Sequence, residues 1–181
     1  MQAKVSMMVP CYNKVKWIGT MLDSVIAQKW DNIELILVND GSTDGTREVI
    51  GDYKNRLLER GYEVVIIDQK NIGLPGAIRN GLRAVTGEFV CMPDCDDILH
   101  PEYVSAMADV LTKRPNDVWV RCDFNRPIDY ESWPYLKKDA NCLHMEYYPY
   151  KLLESLFLSR LRWVTWVNFF RMEYLRECRV M

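Results

Sequence analysis

Histidine is scarce in this chain. Two are present, His100 and His144, and neither stands beside a candidate nucleophile, so no Ser/His/Asp hydrolase arrangement is read. There is no G-x-x-x-x-G-K-[ST], which excludes a P-loop. Gly73, Gly76 and Gly81 do not make G-x-G-x-x-G, so a dinucleotide fold is poorly supported. An excess of one charge is also missing. The formal net charge is −2, without a basic field, and general nucleic-acid affinity is not expected. No apolar run is long enough to span a bilayer. The opening residues, Met1-Gln2-Ala3-Lys4-Val5, lead directly into a strand pattern without a secretory leader. The six cysteines (11, 91, 95, 122, 142, 178) are therefore expected to be reduced cytosolic thiols. Cys91, Cys95 and His100 have no standard zinc-ligand spacing.

What is present is an ordinary globular composition. At 181 residues, with 49% hydrophobic and 27% charged side chains, the chain suits one domain with a real core. Its centre is Phe89-Val90-Cys91-Met92-Pro93-Asp94-Cys95-Asp96-Asp97, an apolar run that stops at three carboxylates. The run reads as a buried strand. Carboxylates are almost never fully buried unless paired or metal-bound, so the cluster is expected at the strand's carboxyl end, facing a cleft. In open α/β sheets ligands bind at that edge. Hard oxygens spaced as in Asp94 and Asp96 suit Mg²⁺ or Mn²⁺ shared with substrate phosphates. The other reading is a solvated acidic turn ahead of a helix.

Strand and helix patterns alternate along the chain. Strands are expected at 5–9 (ended by Pro10), 33–38, 63–67, 89–92 and 117–122. Helices are expected at 17–29, 43–53, 77–85 and from Pro101 onward through Val104, Met107, Ala108 and Leu111. Asn39-Asp40-Gly41-Ser42 reads as a turn. This order predicts an α/β fold with a mostly parallel, Rossmann-like central sheet and helices on both faces. Right-handed crossovers then place Tyr12-Asn13, Asn39-Asp40, residues 68–71 and residues 94–97 along one sheet edge. That convergence is the main argument for a site. Residues 125–149 read as a long irregular segment over the cleft, 150–161 as amphipathic, 163–170 as strongly aromatic and 173–176 as a short helix. Trp163, Trp166, Phe169 and Phe170 could form an interface with a further domain or a second copy; core is the commoner fate of such residues.

Several motifs stand in a telling order. They are residues 5–13 (Val-Ser-Met-Met-Val-Pro-Cys-Tyr-Asn), 24–28 (Ser-Val-Ile-Ala-Gln), 34–46 (through Asn39-Asp40-Gly41-Ser42-Thr43-Asp44-Gly45-Thr46), 71–81, 84–90 and Asp94-Cys95-Asp96-Asp97. Together they resemble the family 2 glycosyltransferases over roughly the first two thirds of the chain. The resemblance implies a GT-A fold that binds a nucleotide-sugar, a UDP-sugar first, and transfers the sugar to an acceptor hydroxyl with inversion. It implies residues 1–123 as the nucleotide-sugar-binding part and 124–181 as the acceptor-side part of a single domain, truncated at the C-terminus.

The implied donor-binding residues are Pro10, Tyr12, Asn13, Asp40, Gly73, Arg79 and Asp94, with Asp94 and Asp96 on Mg²⁺ or Mn²⁺. Tyr12 offers a face to the base, or else packs at a strand end. Asp40 accepts from base or ribose, or else caps the next helix. Arg79 meets the diphosphate, or else is a solvated helix charge. Asp44 and Thr46 read as turn and helix-start residues, Asn80 as structural or cleft-lining, and Asp97 as ordering the next turn. Asn39 replaces an Asp common at its position. The family's general base is an Asp or Glu in an acidic pair after the aromatic segment. The sequence reaches Arg179-Val180-Met181 before such a pair, so the base is expected beyond Met181; Asp123, Asp129 and Glu131 are substitutes that no motif supports. The acceptor is expected to be a glycan or lipid-linked, in cell-surface polysaccharide synthesis, with a cytoplasmic location, peripheral contact at the inner membrane face and room for a homodimer. A non-catalytic nucleotide-sugar-binding domain is the alternative; a sugar nucleotidyltransferase stands behind it, lacking the Gly-rich loop expected after the first strand.

Overall fold

A computed structural model describes residues 2–122, 146–147 and 168–177. Asp123, Asp129, Glu131, Trp163, Trp166, Cys142, Cys178, the amphipathic stretch and the expected irregular segment apart from residues 146–147 lie outside the described residues; 146–147 form a short strand. The elements are β1 (Val5–Cys11), α1 (Ile18–Ile26), β2 (Ile33–Asp40), α2 (Thr46–Glu59), β3 (Glu63–Gln69) and α3 (Leu74–Ala84). They continue with β4 (Phe89–Cys91), α4 (Tyr103–Lys113), β5 (Trp119–Arg121), β6 (Glu146–Tyr147), β7 (Asn168–Arg171) and α5 (Met172–Glu177).

The strands form one sheet in the order β3-β2-β1-β4-β7-β5-β6. The first four are parallel, and β2 tracks β1 from Val5↔Ile33 to Cys11↔Asn39. The remaining ladders are short and antiparallel. The aromatic stretch supplies β7, which runs between β4 and β5 and breaks the βαβ succession. Its side chains are core: Phe169 and Phe170 are buried, and Phe170 stacks on Trp119 at 6.0 Å between centroids.

The continuous apolar runs of β1 and β2 reflect burial on both faces. Val5, Met7, Val9, Leu35 and Leu37 pack with Ile18, Met21 and Leu22 of α1, Ile50 and Leu57 of α2, and Val104 and Met107 of α4. Their alternates Met8, Ile36 and Val38 face Ala77 and Leu82 of α3 and Leu175 of α5. Gly81 makes the second interface close: a Cβ there would meet Met8 Cγ at 2.5 Å. One acid is buried among these layers. Glu34 accepts from Ser6 Oγ at 2.5 Å, Thr86 N at 2.9 Å and Thr86 Oγ1 at 2.6 Å, with Lys4 Nζ 3.4 Å away. Burial pushes its carboxyl up, but these donors outweigh it and hold it below the usual range.

Several boundaries differ from the sequence expectation: α3 starts at Leu74 rather than 77, α1 ends at Ile26 rather than 29, β3 runs on to Gln69, and β5 is shorter than 117–122. β1 runs through Pro10 to Cys11. Val5 N bonds toward β2 and the Lys4 carbonyl toward β4, so even positions of β1 face β4. The missing donor of Pro10 therefore points to the β4 side, where pairing has already ended at Met7↔Cys91. β2 likewise continues through Asn39 and Asp40, which are strand residues rather than a turn. α2 begins at Thr46 after Gly45, whose φ of 93° only glycine adopts readily, and it extends to Glu59.

Candidate active site

Chain order reverses at β1. From it the chain steps outward to β2 and β3, then returns to place β4 on its other side. The gap beyond β1 and β4 is thus the switch point where doubly wound sheets bind ligands. Residues 12–15 leave β1 there, and residues 92–97 leave β4.

The loop after β1 is held from β2–α2. Asn13, at φ 51°, accepts from Thr43 N at 2.8 Å and takes Ser42 Oγ on its own N–H at 3.2 Å. Lys14 N donates to Thr46 Oγ1 at 2.8 Å and Val15 N to Asp44 Oδ2 at 3.0 Å. Asp44 also accepts from Thr46 N and Oγ1. Burial nudges Asp44 up, yet these donors hold its carboxyl below the ordinary range. Asp44 and Thr46 therefore work as positioning residues. Pro10 is buried, and the Tyr12 ring stands 48% exposed at the mouth.

Asp40 closes the other wall. It is buried, and its oxygens accept from Gln69 Nε2 at 2.7 Å, Ile72 N at 2.9 Å and Gly73 N at 3.0 Å. Gln69 in turn accepts from Asn80 at 2.8 Å. Gly73, at φ 80°, caps α3, while Arg79 is exposed on that helix, and Arg79 is not among the charges that shift Asp94 or Asp97. Gly41 lets the two loops touch: a Cβ there would lie 2.8 Å from Asn71 N. Asn39 donates to Asp68 at 2.9 Å, and Arg47 pairs with the same carboxylate at 2.7 Å. Burial opposes, but those two partners draw Asp68 below its usual range.

The acidic cluster behaves differently. Asp97 N turns back to the Asp94 carbonyl at 3.1 Å, which folds the three carboxylates into one turn. Burial, then the neighbouring Asp96, raises Asp94; Lys14 opposes this. Burial and the charges of Asp94 and Asp96 push Asp97 up to about 7. Asp97 Oδ2 is buried without a hydrogen-bond partner. The nearby cation is Lys14, whose Nζ lies 2.5 Å from Asp96 Oδ2. That hydrogen bond raises the Lys14 ammonium, outweighing partial burial. Cys95, between the two aspartates, contacts Cys11. The contact, then burial, holds the Cys11 thiol well above its usual range; the same contact draws Cys95 down against burial, which opposes it.

The segment behind the cluster is clamped by α1. Ser24 Oγ accepts from Leu99 N at 3.1 Å. Gln28 donates to the His100 carbonyl at 2.8 Å and accepts from Val104 N at 3.1 Å. The Ser24–Gln28 motif thus anchors the exit of the acidic turn. Lys14 is absent from the sequence reading, which placed Gln69 in the converging stretch 68–71 and Ser24–Gln28 among the motifs without a role for either. Their partners lie far away in the chain.

The donor set suits a hard divalent cation. It is all oxygen, crowded enough to raise two carboxyls, and has one orphaned buried oxygen and a lysine already drawn in. Among the described residues no three His, Cys, Asp or Glu side chains are gathered as a complete metal site. Mg²⁺ sites commonly take one or two carboxylates and complete the shell with waters and substrate phosphates.

A sheet with a parallel half, an antiparallel flank and an acidic turn at the switch point defines a GT-A fold. Solved structures agree. A mannosyltransferase from Pyrobaculum calidifontis, in complex with GDP-Man and Mn²⁺, matches 98% of this chain and 47% of its own at TM-score 0.72 and 20% identity. TarS residues 1–349 from S. aureus, in complex with UDP, matches 97% of this chain and 49% of its own at TM-score 0.67 and 21% identity. The sequence profile of Glycosyl transferase family 2 covers residues 6–176, and the chain belongs to that family. EpsH of Bacillus subtilis (strain 168), which carries the name of a glycosyltransferase, is 30% identical over 177 residues, 97% of this chain and 49% of EpsH. The chain spans about half the length of these proteins. Among the described residues no helix is long and apolar enough to cross a membrane.

Proposed function

We propose that this domain binds a nucleoside-diphosphate sugar, a UDP-sugar in the first place, and moves its sugar with inversion to an acceptor hydroxyl. The observation that carries the reading is the convergence at one switch point of an exposed aromatic ring, Tyr12, and an acidic turn, 94–97, that its own surroundings leave short of positive charge. Family membership and the nucleotide-bound neighbours support it.

Each residue then has a task. Tyr12 stacks on the base, a contact worth ~1–3 kcal/mol in single-strand binders. Pro10 and Asn13 fix the loop that presents the ring. Asp40 fixes Ile72 and Gly73, sets the entry of α3, and borders the base and ribose. Arg79 answers the diphosphate charge. Asp94 and Asp96 would hold Mg²⁺ or Mn²⁺, with Asp94 also near the ribose. When bound, that cation supplies Lewis-acid neutralisation of the leaving diphosphate. The acceptor proton goes to a carboxylate base that we place beyond Met181. A glycan or lipid-linked acceptor, a role in cell-surface polysaccharide synthesis and peripheral membrane contact complete the proposal.

Calorimetric titration of UDP, then GDP, with and without Mn²⁺ tests it. We expect Mn²⁺-dependent binding of UDP, lost in Asp96→Ala. Absence of binding for both nucleotides, or equal affinity in wild type and Asp96→Ala, would overturn the site.

A further inference from the structure

The ion pair between Lys14 and Asp96 has a consequence for how the donor site fills. It joins the two loops that flank the switch point, 82 positions apart in sequence. Asp96 is the residue that the proposed function places on the divalent cation. A cation approaching Asp96 meets the Lys14 ammonium already on the same carboxylate at 2.5 Å. Each side chain of the pair is about one third exposed, so solvent reaches and screens the ion pair, and it can be broken. The lysine's backbone is not free to follow its head. Lys14 N is fixed on Thr46, Val15 N on Asp44, and Asn13 on both Ser42 and Thr43. The ammonium can therefore leave Asp96 only by rotation of its own flexible stem, and it stays at the switch point. There it still carries a charge that needs an anion.

We propose that Lys14 is an internal counter-ion that couples the divalent cation to the nucleoside diphosphate. It neutralises Asp96 when neither is bound. It opposes the divalent cation alone, and it is handed to the diphosphate when both enter. The inference rests on the reading of Asp96 given above. In linkage terms, a ligand shifts the affinity for another only through a differential contact, and the contact here is the lysine's exchange of one anion for another. The result is that cation and nucleotide bind together far better than either alone.

Mn²⁺ binding to the full 181-residue chain, followed by the electron paramagnetic resonance of free Mn²⁺, tests this without requiring turnover. The measurements are made with MnCl₂ alone and with MnCl₂ plus saturating UDP or GDP. For MnCl₂ alone, Lys14→Met should bind Mn²⁺ about three- to tenfold more tightly than wild type, because a competing charge is gone. Lys14→Arg, which keeps the charge, should stay near wild type. With the nucleotide present, the gain in Mn²⁺ affinity should shrink by about tenfold in Lys14→Met. Equal or weaker Mn²⁺ binding by Lys14→Met in the absence of nucleotide would overturn the proposal, as would an unchanged nucleotide-dependent gain. If wild type, Lys14→Met and Asp96→Ala all ignore Mn²⁺ with and without UDP or GDP, the site reading itself fails and takes this inference with it. If Asp96→Ala loses Mn²⁺ while Lys14→Met matches wild type, only the inference fails.

Discussion

Two walls of the cleft are built from the same residue type and treat it in opposite ways. On the β2–β3 side, Asp40 and Asp68 are saturated. Asp40 has three donors, and Asp68 has an amide and a guanidinium. On the β1–β4 side, Asp94, Asp96 and Asp97 crowd one turn with Lys14 as counter-charge and an orphaned oxygen. The first wall is a finished hydrogen-bond network that fixes loops. The second is an unfinished one, stable enough to fold and incomplete enough to bind. A carboxylate's role is thus told by what already satisfies it, more than by its place in a motif.

The contrast can be broken at either wall. The largest effect is expected on the unfinished side: Asp96→Ala should weaken Mn²⁺-dependent UDP binding at least about 100-fold, the upper end for losing a metal-supporting group, with little change in the urea unfolding midpoint. Next comes the finished side. Asp40→Ala should lose about 1–3 kcal/mol in urea denaturation, because Ile72 N, Gly73 N and Gln69 lose their acceptor. Asp94→Asn in EDTA should instead gain up to about 1 kcal/mol by removing a buried charge and, with it, the repulsion from Asp96. Equal destabilisation by both substitutions would erase the distinction.

Acid stability separates the walls by sign. Asp97 rises from 3.8 to about 7 on folding, so in EDTA the folded state holds the extra proton between those values. Its contribution to stability is present at the low end and fades as pH rises through about 7. Asp68 on the finished wall, like Glu34 in the layers away from the cleft, lies below its ordinary value, so its contribution is present at neutral pH and is lost as pH falls through the folded value. Asp97→Asn should flatten the loss between pH 4 and 7 (a window bounded by the Asp97 values) while leaving the acid limb intact. An unaltered profile would remove Asp97 from the unfinished wall. The smallest effect is expected for Asn39→Asp. It would set a second carboxylate 2.9 Å from Asp68, offset in part by Arg47, at about 0.5–1 kcal/mol.

The parallel half of the fold was legible because each strand is an uninterrupted apolar run and each helix keeps its stripe. The position of the acidic turn after β4 was legible from the apolar run that stops at it, whereas its spacing alone left a solvated turn equally open. Other features were not. Asn39 and Asp40 carry turn chemistry, yet pairing with β1 and β3 keeps them in the strand. Trp119 and Phe170 gave an aromatic signal without direction; their antiparallel register is a long-range fact. Lys14 is an ordinary surface lysine until the fold brings Asp96 to it. Local pattern reports periodicity and punctuation, whereas partnership across the sheet is settled only when the strand order is known.

Pro10 gives the cleft a further property. Among the described residues, β1 stands beside no strand on its β4 side beyond Met7, and a bare strand margin invites another backbone to zip onto it. The proline removes the donor that such a zipper would need at its second step. Closure of the fork between the two strands by a further backbone is therefore disfavoured, and the loops that leave β1 and β4 keep their separation there.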